Sequence, residues 1–565
     1  MKKTKVLFLI LFLSLIMVSV VYAGGQRSAQ PTGALTGERW VFSPNNPVTI
    51  SVWMESNQMA PAPDNKISAL LRDRLGVTLE YDITPPGMGD QRIGVMLASG
   101  LIPDLVASTD LNARLVHGGA LLRLDDALAT GNFPNLAEHV RPVLQRLTWR
   151  SGGVPDGLYL FPNYNRFYGD PPIMGPDHGG TGFWIQKAVL EWHNFPALEN
   201  MTLERYFQLL EDYMRAHPTI DGQPTIAFTF PAFQGRVWGM TNPPNFLAGH
   251  PNNGPVMIEN GVARIYANTR YAYDYFRFLN LANARGLVDP EAATQTQDQY
   301  LAKLATGRVL GMHDQGWGFG DARTSLQAQF RDERTWVATM PVFPGYTPYY
   351  ADRPVMNVNQ GYGISRTASN PNMILSFLEE MMSVEWQTIL SWGIEGQDYH
   401  VGPNGMYYRT QQQRDIANDV TWRQSNRLMA FWDPMSKRQG TLPNGNAFAP
   451  GDQPSEFFDG LRPYDRSFLQ RYNRQTWTDF VNPTPENPVY YPAWQAHLPD
   501  GSAAQIAQTQ LDEVALQFLP RAIFAPPAQF DVIWNEYLAA INRIDVRSFE
   551  EVFNQFVRDR MARGQ

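Results

Sequence analysis

Short β-branched or apolar runs alternate with helical stretches that stop at glycine, and this alternation constrains the fold more than any other feature of the chain. Pro47 to Val52 (PVTISV) reads as a strand, and the helix after it, with Ile67, Leu70, Leu71 and Leu75 on one face, ends at Gly76. Val77 to Tyr81 reads as a second strand, Gln91 to Ser99 as a second helix, and Asp104 to Ala107 as a short buried strand. Alternating strands and helices need crossover connections, so the pattern predicts an α/β lobe with parallel pairing. The middle of the chain repeats it, with strands around Gly182 to Ile185, Ile226 to Phe230 and Ala263 to Tyr266. A helix is expected from Thr202, its N-cap, to His217. Helices Arg270 to Arg285, Gln297 to Thr306 and Ile374 to Trp392 are closed by Gly286, Gly307 and Gly393. Beyond about Gly402 the chain turns rich in Asn, Gln, Pro and aromatic residues, with helices expected at Ala504 to Leu519, Pro527 to Ile541 and Ser548 to Arg563.

The first 23 residues have three lysines, an apolar run from Val6 to Val21 broken by Ser14 and Ser19, and a small residue at Ala23. This is the pattern of a secretory signal peptide cut after Ala23. No later stretch reaches the roughly 18 uninterrupted apolar residues of a membrane span. Gly24 to Asn46, poor in large apolar side chains, reads as a flexible tether. The expected location is therefore periplasmic or secreted.

Much chemistry is excluded early. The chain has no cysteine, so disulfides, thiolate metal sites, cysteine nucleophiles and lipid attachment at a mature N-terminal cysteine are ruled out. A formal charge of −8 with no long basic run argues against a nucleic-acid partner. None of the nine histidines forms an HExxH pair or a spaced cluster, so no metal site is expected. No GxSxG elbow, GxGxxG turn or Walker loop is present, and neither a cofactor nor a catalytic residue is assigned. A pair of glycosidase carboxylates stays open, because two acids need only meet in space about 5–10 Å apart.

Aromatic residues make up 12% of the chain, and several sit in polar, Gly- or Pro-punctuated stretches: FPNYNRFYG at 161–169, HDQGWGFGD at 313–321 and VYYPAW at 489–494. Such rings suit the C–H face of a sugar, with polar neighbours for its hydroxyls. They equally suit core packing, residue by residue.

A set of segments in order along the chain carries a family resemblance: LASGLIPDLV at 97–106, GGALLRLDDAL at 118–128, LYLFPN at 158–163, FWIQKAVLEW at 183–192, RGLVDPEAATQT at 285–296, GYGISRTASNP at 361–371 and GIEGQDYHVGPNG at 393–405. Through them the chain resembles the extracellular solute-binding proteins, family 1, of ABC sugar importers, in the long branch that includes lipoprotein-type and oligosaccharide-binding members. The resemblance implies an α/β, two-lobed periplasmic-binding-protein-like fold of type II with the ligand cleft between lobes. It places lobe 1 at 47–164 plus 355–400 and lobe 2 at 165–354 plus 401–565, the last part a C-terminal elaboration. It implies a monomeric, non-enzymatic protein that closes on an oligosaccharide and delivers it to membrane permease subunits. A secreted carbohydrate-active enzyme is the alternative.

Local similarity to maltodextrin-type members implies four cleft-facing places. These are Trp53, Glu55 and Asn57 after the first strand; Ser108, Thr109 and Asp110 after the third; Tyr164, Asn165 and Arg166 at the first hinge; and Asp314, Trp317 and Phe319. Trp317, between Gly316 and Gly318, stands where relatives put a sugar-stacking tryptophan. Arg166 suits either a uronate carboxylate or a hinge salt bridge. The chain departs from many members in lacking the N-terminal cysteine. It also has HPTIDGQ at 217–223 where some carry a calcium loop, so calcium is not expected there.

Overall fold

The computed structural model describes residues 33–56, 59–85, 88–108, 112–141, 144–149, 154–162, 167–168, 176–233, 236–350, 361–417, 419–428, 436–481, 493–496, 498–499 and 501–562. Two four-stranded sheets organise them. In the first, β1 (Val48–Glu55), α1 (Lys66–Leu75), β2 (Val77–Thr84), α2 (Gly89–Ser99) and β3 (Leu105–Ser108) follow one another as the alternation predicts. Strand β1 pairs in parallel with β2 from Val48 opposite Val77 to Glu55 opposite Thr84, and with β3 on its other side. Asn65 starts α1 by accepting from the amides of Ile67 and Ser68, and Gly76, at φ 70°, ends it.

The second sheet contains β4 (Thr181–Gln186), β5 (Ile226–Thr229), β6 (Val309–Gln315) and β7 (Trp336–Thr339), in the spatial order β7-β4-β6-β5. Helices α3 (Leu203–Ala216), α4 (Arg270–Ala284), α5 (Gln297–Ala305) and α6 (Gly320–Ala328) connect or cover these strands. Here the expectation of parallel pairing needs correcting, since β4 runs antiparallel to both β6 and β7. Strands β5, β6 and β7 therefore run one way and β4 the other. The strand expected around Ala263 is Val262–Ile265, part of an antiparallel hairpin outside this sheet.

Strand β8 (Gly361–Ile364) returns to the first sheet and lies antiparallel to β3, with Gly361 opposite Ser108. The helix expected over 374–392 is two helices, α7 (Pro371–Met381) and α8 (Val384–Ser391), because Ser383 caps a new start by accepting from the Trp386 amide at 3.2 Å. Two placements differ from expectation, the first from the tether read from composition and the second from the lobe boundaries that the resemblance implies. Residues 33–46 include a segment bound along α7: the Trp40 amide donates to Ser376, Asn372 donates to the Ala34 carbonyl, and Arg39 pairs with Glu379 and Glu380. Residues beyond 401 first stay with the first lobe, where Asn65 donates to the carbonyls of Gln424 and Arg427 and the Ser436 hydroxyl donates to the Pro162 carbonyl.

The chain then passes to the second lobe, where α9 (Pro463–Arg471) brings Asp465 within 2.5 Å of Lys187. Helices α10 (Ala503–Phe524), α11 (Phe530–Ile541) and α12 (Val546–Ala562) complete that lobe's core. Asn280 of α4 donates to the carbonyls of Ala522 and Ala525, satisfying groups that the end of α10 leaves free.

Candidate functional site

The carboxyl ends of parallel strands gather loops at one edge of a sheet, and such edges are where α/β proteins bind ligands. In the first sheet this edge carries Glu55, Thr84 and Ser108, with Gly361 beside Ser108. In the second it carries Thr229, Gln315 and Thr339, with the start of β4 at Thr181 beside Gln315. Phe161 and Tyr362 exchange backbone hydrogen bonds of 2.9 and 3.0 Å where the chain leaves and rejoins the first lobe. On the other side the chain arrives at Thr181 and departs after Thr339.

A cluster of polar and aromatic groups stands at the end of β6. Asp314 has no exposed surface; the Tyr300 hydroxyl donates to its Oδ2 at 2.9 Å and the Gln315 amide to its Oδ1 at 2.8 Å. Burial pushes its pKa up to about 6, against the pull of Arg236, whose Nη1 lies 3.6 Å from Oδ2. Burial also pushes the neighbouring His313 down to about 4. Its Nδ1 lies 3.0 Å from the Gly239 carbonyl, which can only accept, so that nitrogen carries the proton. Trp184 donates to the Asp314 carbonyl at 2.9 Å and stacks on His178.

From this base the loop Gly316–Phe319 turns outward, tied down by the Gly316 amide donating to Gly180 and the Trp317 amide to Gly179. Trp317 is 60% exposed. Arg236 stacks its guanidinium 4.6 Å from the centre of the Trp317 ring and 5.7 Å from that of Trp238, and the two indoles lie 5.9 Å apart at 47°. Gly318 makes room for this, since a Cβ there would stand 2.5 Å from Arg236 Nη1 and 2.8 Å from Asp314 Oδ2.

The expected site residues fall into three groups. Asp314, Trp317 and Phe319 come together, but only Trp317 reaches solvent; the expectation for Asp314 needs correcting, since its carboxylate is fully buried under Tyr300 and the Gln315 amide and faces no ligand. Phe319 is fully buried, edge-on to Trp184 and Trp336, and so belongs to the core. Trp53 also needs correcting: it is fully buried among Ile93, Met96, Val106 and Leu115, with its Nε1 donating to Thr84 at 2.9 Å. It sits in a strand flanked by parallel partners and covered on both faces. Glu55 is half-buried and accepts from the Gly89 amide at 3.3 Å, at the start of α2. Ser108 ends β3 beside Gly361. Asn57, Thr109, Asp110, Tyr164, Asn165 and Arg166 lie outside the described residues.

The aromatic excess is mainly core: Phe183, Tyr206, Phe207, Phe228 and Tyr275 are fully buried in the second lobe. Sequence reasoning missed Arg236 and Trp238, although an Arg-x-Trp pair inside the aromatic, Gly- and Pro-bounded stretch PAFQGRVWG was a usable signal. In the stretch compared with a calcium loop, the Asp221 carboxylate lies 2.6 Å from Arg331. Among the described residues, no group of three or more His, Asp or Glu side chains is arranged to hold a metal ion, and no helix is long and apolar enough to cross a membrane.

No family model matches the chain, and no curated protein matches it by sequence. Solved structures do match in fold. An HMO-binding, ABC-transporter-associated solute-binding protein from Bifidobacterium longum infantis is 15% identical with a TM-score of 0.60, the match covering 91% of this chain and 99% of that one. An alginate-binding protein solved without calcium ion is 14% identical with a TM-score of 0.62, covering 92% and 100%. A substrate-binding protein of an ABC transporter from S. pneumoniae, in complex with kestose, is 14% identical with a TM-score of 0.62, covering 91% and 100%. The chain therefore has the two-lobed α/β fold of solute-binding proteins.

Proposed function

We propose that this protein captures an oligosaccharide outside the cytoplasm, closes its lobes on it and hands it to the permease of an ABC importer without altering it. The observation that carries this reading is Trp317: a 60% exposed indole, braced by Arg236 and Trp238, just beyond the carboxyl end of β6. An accessible ring with hydrogen-bond donors at its rim suits the mixed C–H and hydroxyl surface of a sugar. Structural neighbours named for binding HMO, alginate and kestose support the same reading.

The competing reading is a glycosidase. Asp314, pushed up to about 6, has a pKa suited to a general acid, but its carboxylate has no surface through which a glycosidic oxygen could be reached. Ligand that touches both lobes selects the closed state, so saturating oligosaccharide should compact the protein in small-angle scattering. Release of new reducing ends from the same sugars would instead assign it to the enzymes.

A further inference from the structure

We propose that Arg236 makes this site selective for oligosaccharides that carry a carboxylate, an inference that rests on the saccharide-binding reading above. A guanidinium offers five N–H donors in a planar fork. Among the described residues, Arg236 spends these on one long contact, Nη1 to the Gly318 carbonyl at 3.5 Å. Its ion-pair partner does not use the fork either. Asp314 Oδ2 lies 3.6 Å away, beyond a hydrogen bond, and the two Asp314 oxygens already accept from Tyr300 and from the Gln315 amide. The guanidinium is therefore held by ring faces and by charge, with most of its donors unspent.

The setting keeps it in place and within reach. Two indoles border the guanidinium, Gly318 removes the Cβ that would displace it, and its side chain keeps 13% of its surface exposed beside the open Trp317 ring. A hydroxyl can accept from one of these N–H groups. A carboxylate can accept from two in parallel, with hydrogen bonds roughly twice as strong as neutral ones. A sugar ring laid on Trp317 would thus carry a carboxylate substituent to the free edge of Arg236.

The test is calorimetric titration of the full-length protein with short oligosaccharides of galacturonate, mannuronate and glucuronate, each as the free acid and as the methyl ester, beside neutral gluco- and fructo-oligosaccharides. The ester removes the charge and keeps the ring. The proposal expects a free acid to bind about tenfold or more tightly than its ester. Because Arg236 also braces Trp317, Arg236→Gln should weaken acid and ester both, but the acid about tenfold or more beyond the ester, so that the preference is lost, and Arg236→Lys should fall between, keeping the charge without the fork. Circular dichroism checks that each variant folds, and Arg236→Lys decides the matter if Arg236→Gln does not. Equal affinity for acid and ester, or equal weakening of both in the folded variant, overturns the proposal. Binding of neutral sugars alone overturns it too while leaving the capture reading intact, whereas no binding by any sugar removes the capture reading itself.

Discussion

Arg236 holds its guanidinium carbon 4.6 Å from the centre of the Trp317 ring, so the most exposed tryptophan of the described chain is also a braced one. A pre-positioned ring loses little freedom when a ligand settles on it. Trp317→Ala should weaken saccharide binding by about 1–3 kcal/mol and leave the melting temperature of the ligand-free protein almost unchanged, because little of the ring is packed. Titration and thermal melts of the two proteins check this; a large loss of stability with unaltered affinity would make Trp317 a packing residue.

Gly361 opens β8 hard against the backbone at Phe161. Its φ of 153° and the Phe161 carbonyl facing it leave no space for a Cβ. Gly361→Ala should destabilise the protein by about 2–4 kcal/mol in denaturant melts. Gly320 is the control: it opens α6, a Cβ added there would meet nothing within 4 Å, and Gly320→Ala should be neutral or stabilise by up to about 1 kcal/mol.

Lys187 and Asp465 fasten the C-terminal elaboration to the second lobe. Both are buried, 2.5 Å apart, with the lysine ammonium 4.2 Å from the centre of the Trp477 ring. Burial pushes the Lys187 pKa down while Asp465 pulls it up. Lys187→Met should cost about 3–5 kcal/mol because it strands the buried carboxylate, whereas Lys187→Met with Asp465→Leu should recover most of that loss. Midpoints of chemical denaturation for the two single variants and the double variant give the coupling.

Two neighbours in β6 oppose each other as pH changes. Folding moves Asp314 from 3.8 up to about 6, so the stability tied to it is full below 3.8 and is lost as pH rises toward 6. Folding moves His313 from 6.5 down to about 4, so its contribution is full above 6.5 and is lost as pH falls toward 4. Asp314→Asn removes the first effect and leaves the second. Relative to the parent protein, the variant should therefore gain on the order of 3 kcal/mol between pH 4 and 6 and nothing further above that. A difference that stays flat from pH 4 to 7 would contradict this.

Much of the scaffold was legible from residues alone. Thr202 caps its helix by a side-chain hydrogen bond, Gly76 and Gly286 follow helix ends in the left-handed conformation, and the first three strands overlap the runs that predicted them. Local signals did not carry direction or depth. The reversal of β4 shows only in its pairing with β6 and β7, far along the chain, and Trp53 is buried because strands on both sides and the side chains of Ile93, Met96 and Leu115 close over it. The binding of residues 33–46 along α7 depends on Ser376, Asn372 and Glu380, more than 300 positions away. Trp317 was readable because its glycine flanks leave a ring little core to enter. Its partners Arg236 and Trp238 come from another loop, and only the fold brings them beside it.

Capture without turnover is tested most directly by a fluorescence titration. The full-length protein, free of ligand, is titrated with neutral and uronate oligosaccharides while tryptophan emission is followed, and the sugar is then recovered and sized. Capture predicts a saturable change in emission, strongly reduced in Trp317→Ala, with every sugar recovered at its original length. Shortened sugar, or no saturable response to any member of the panel, would contradict it.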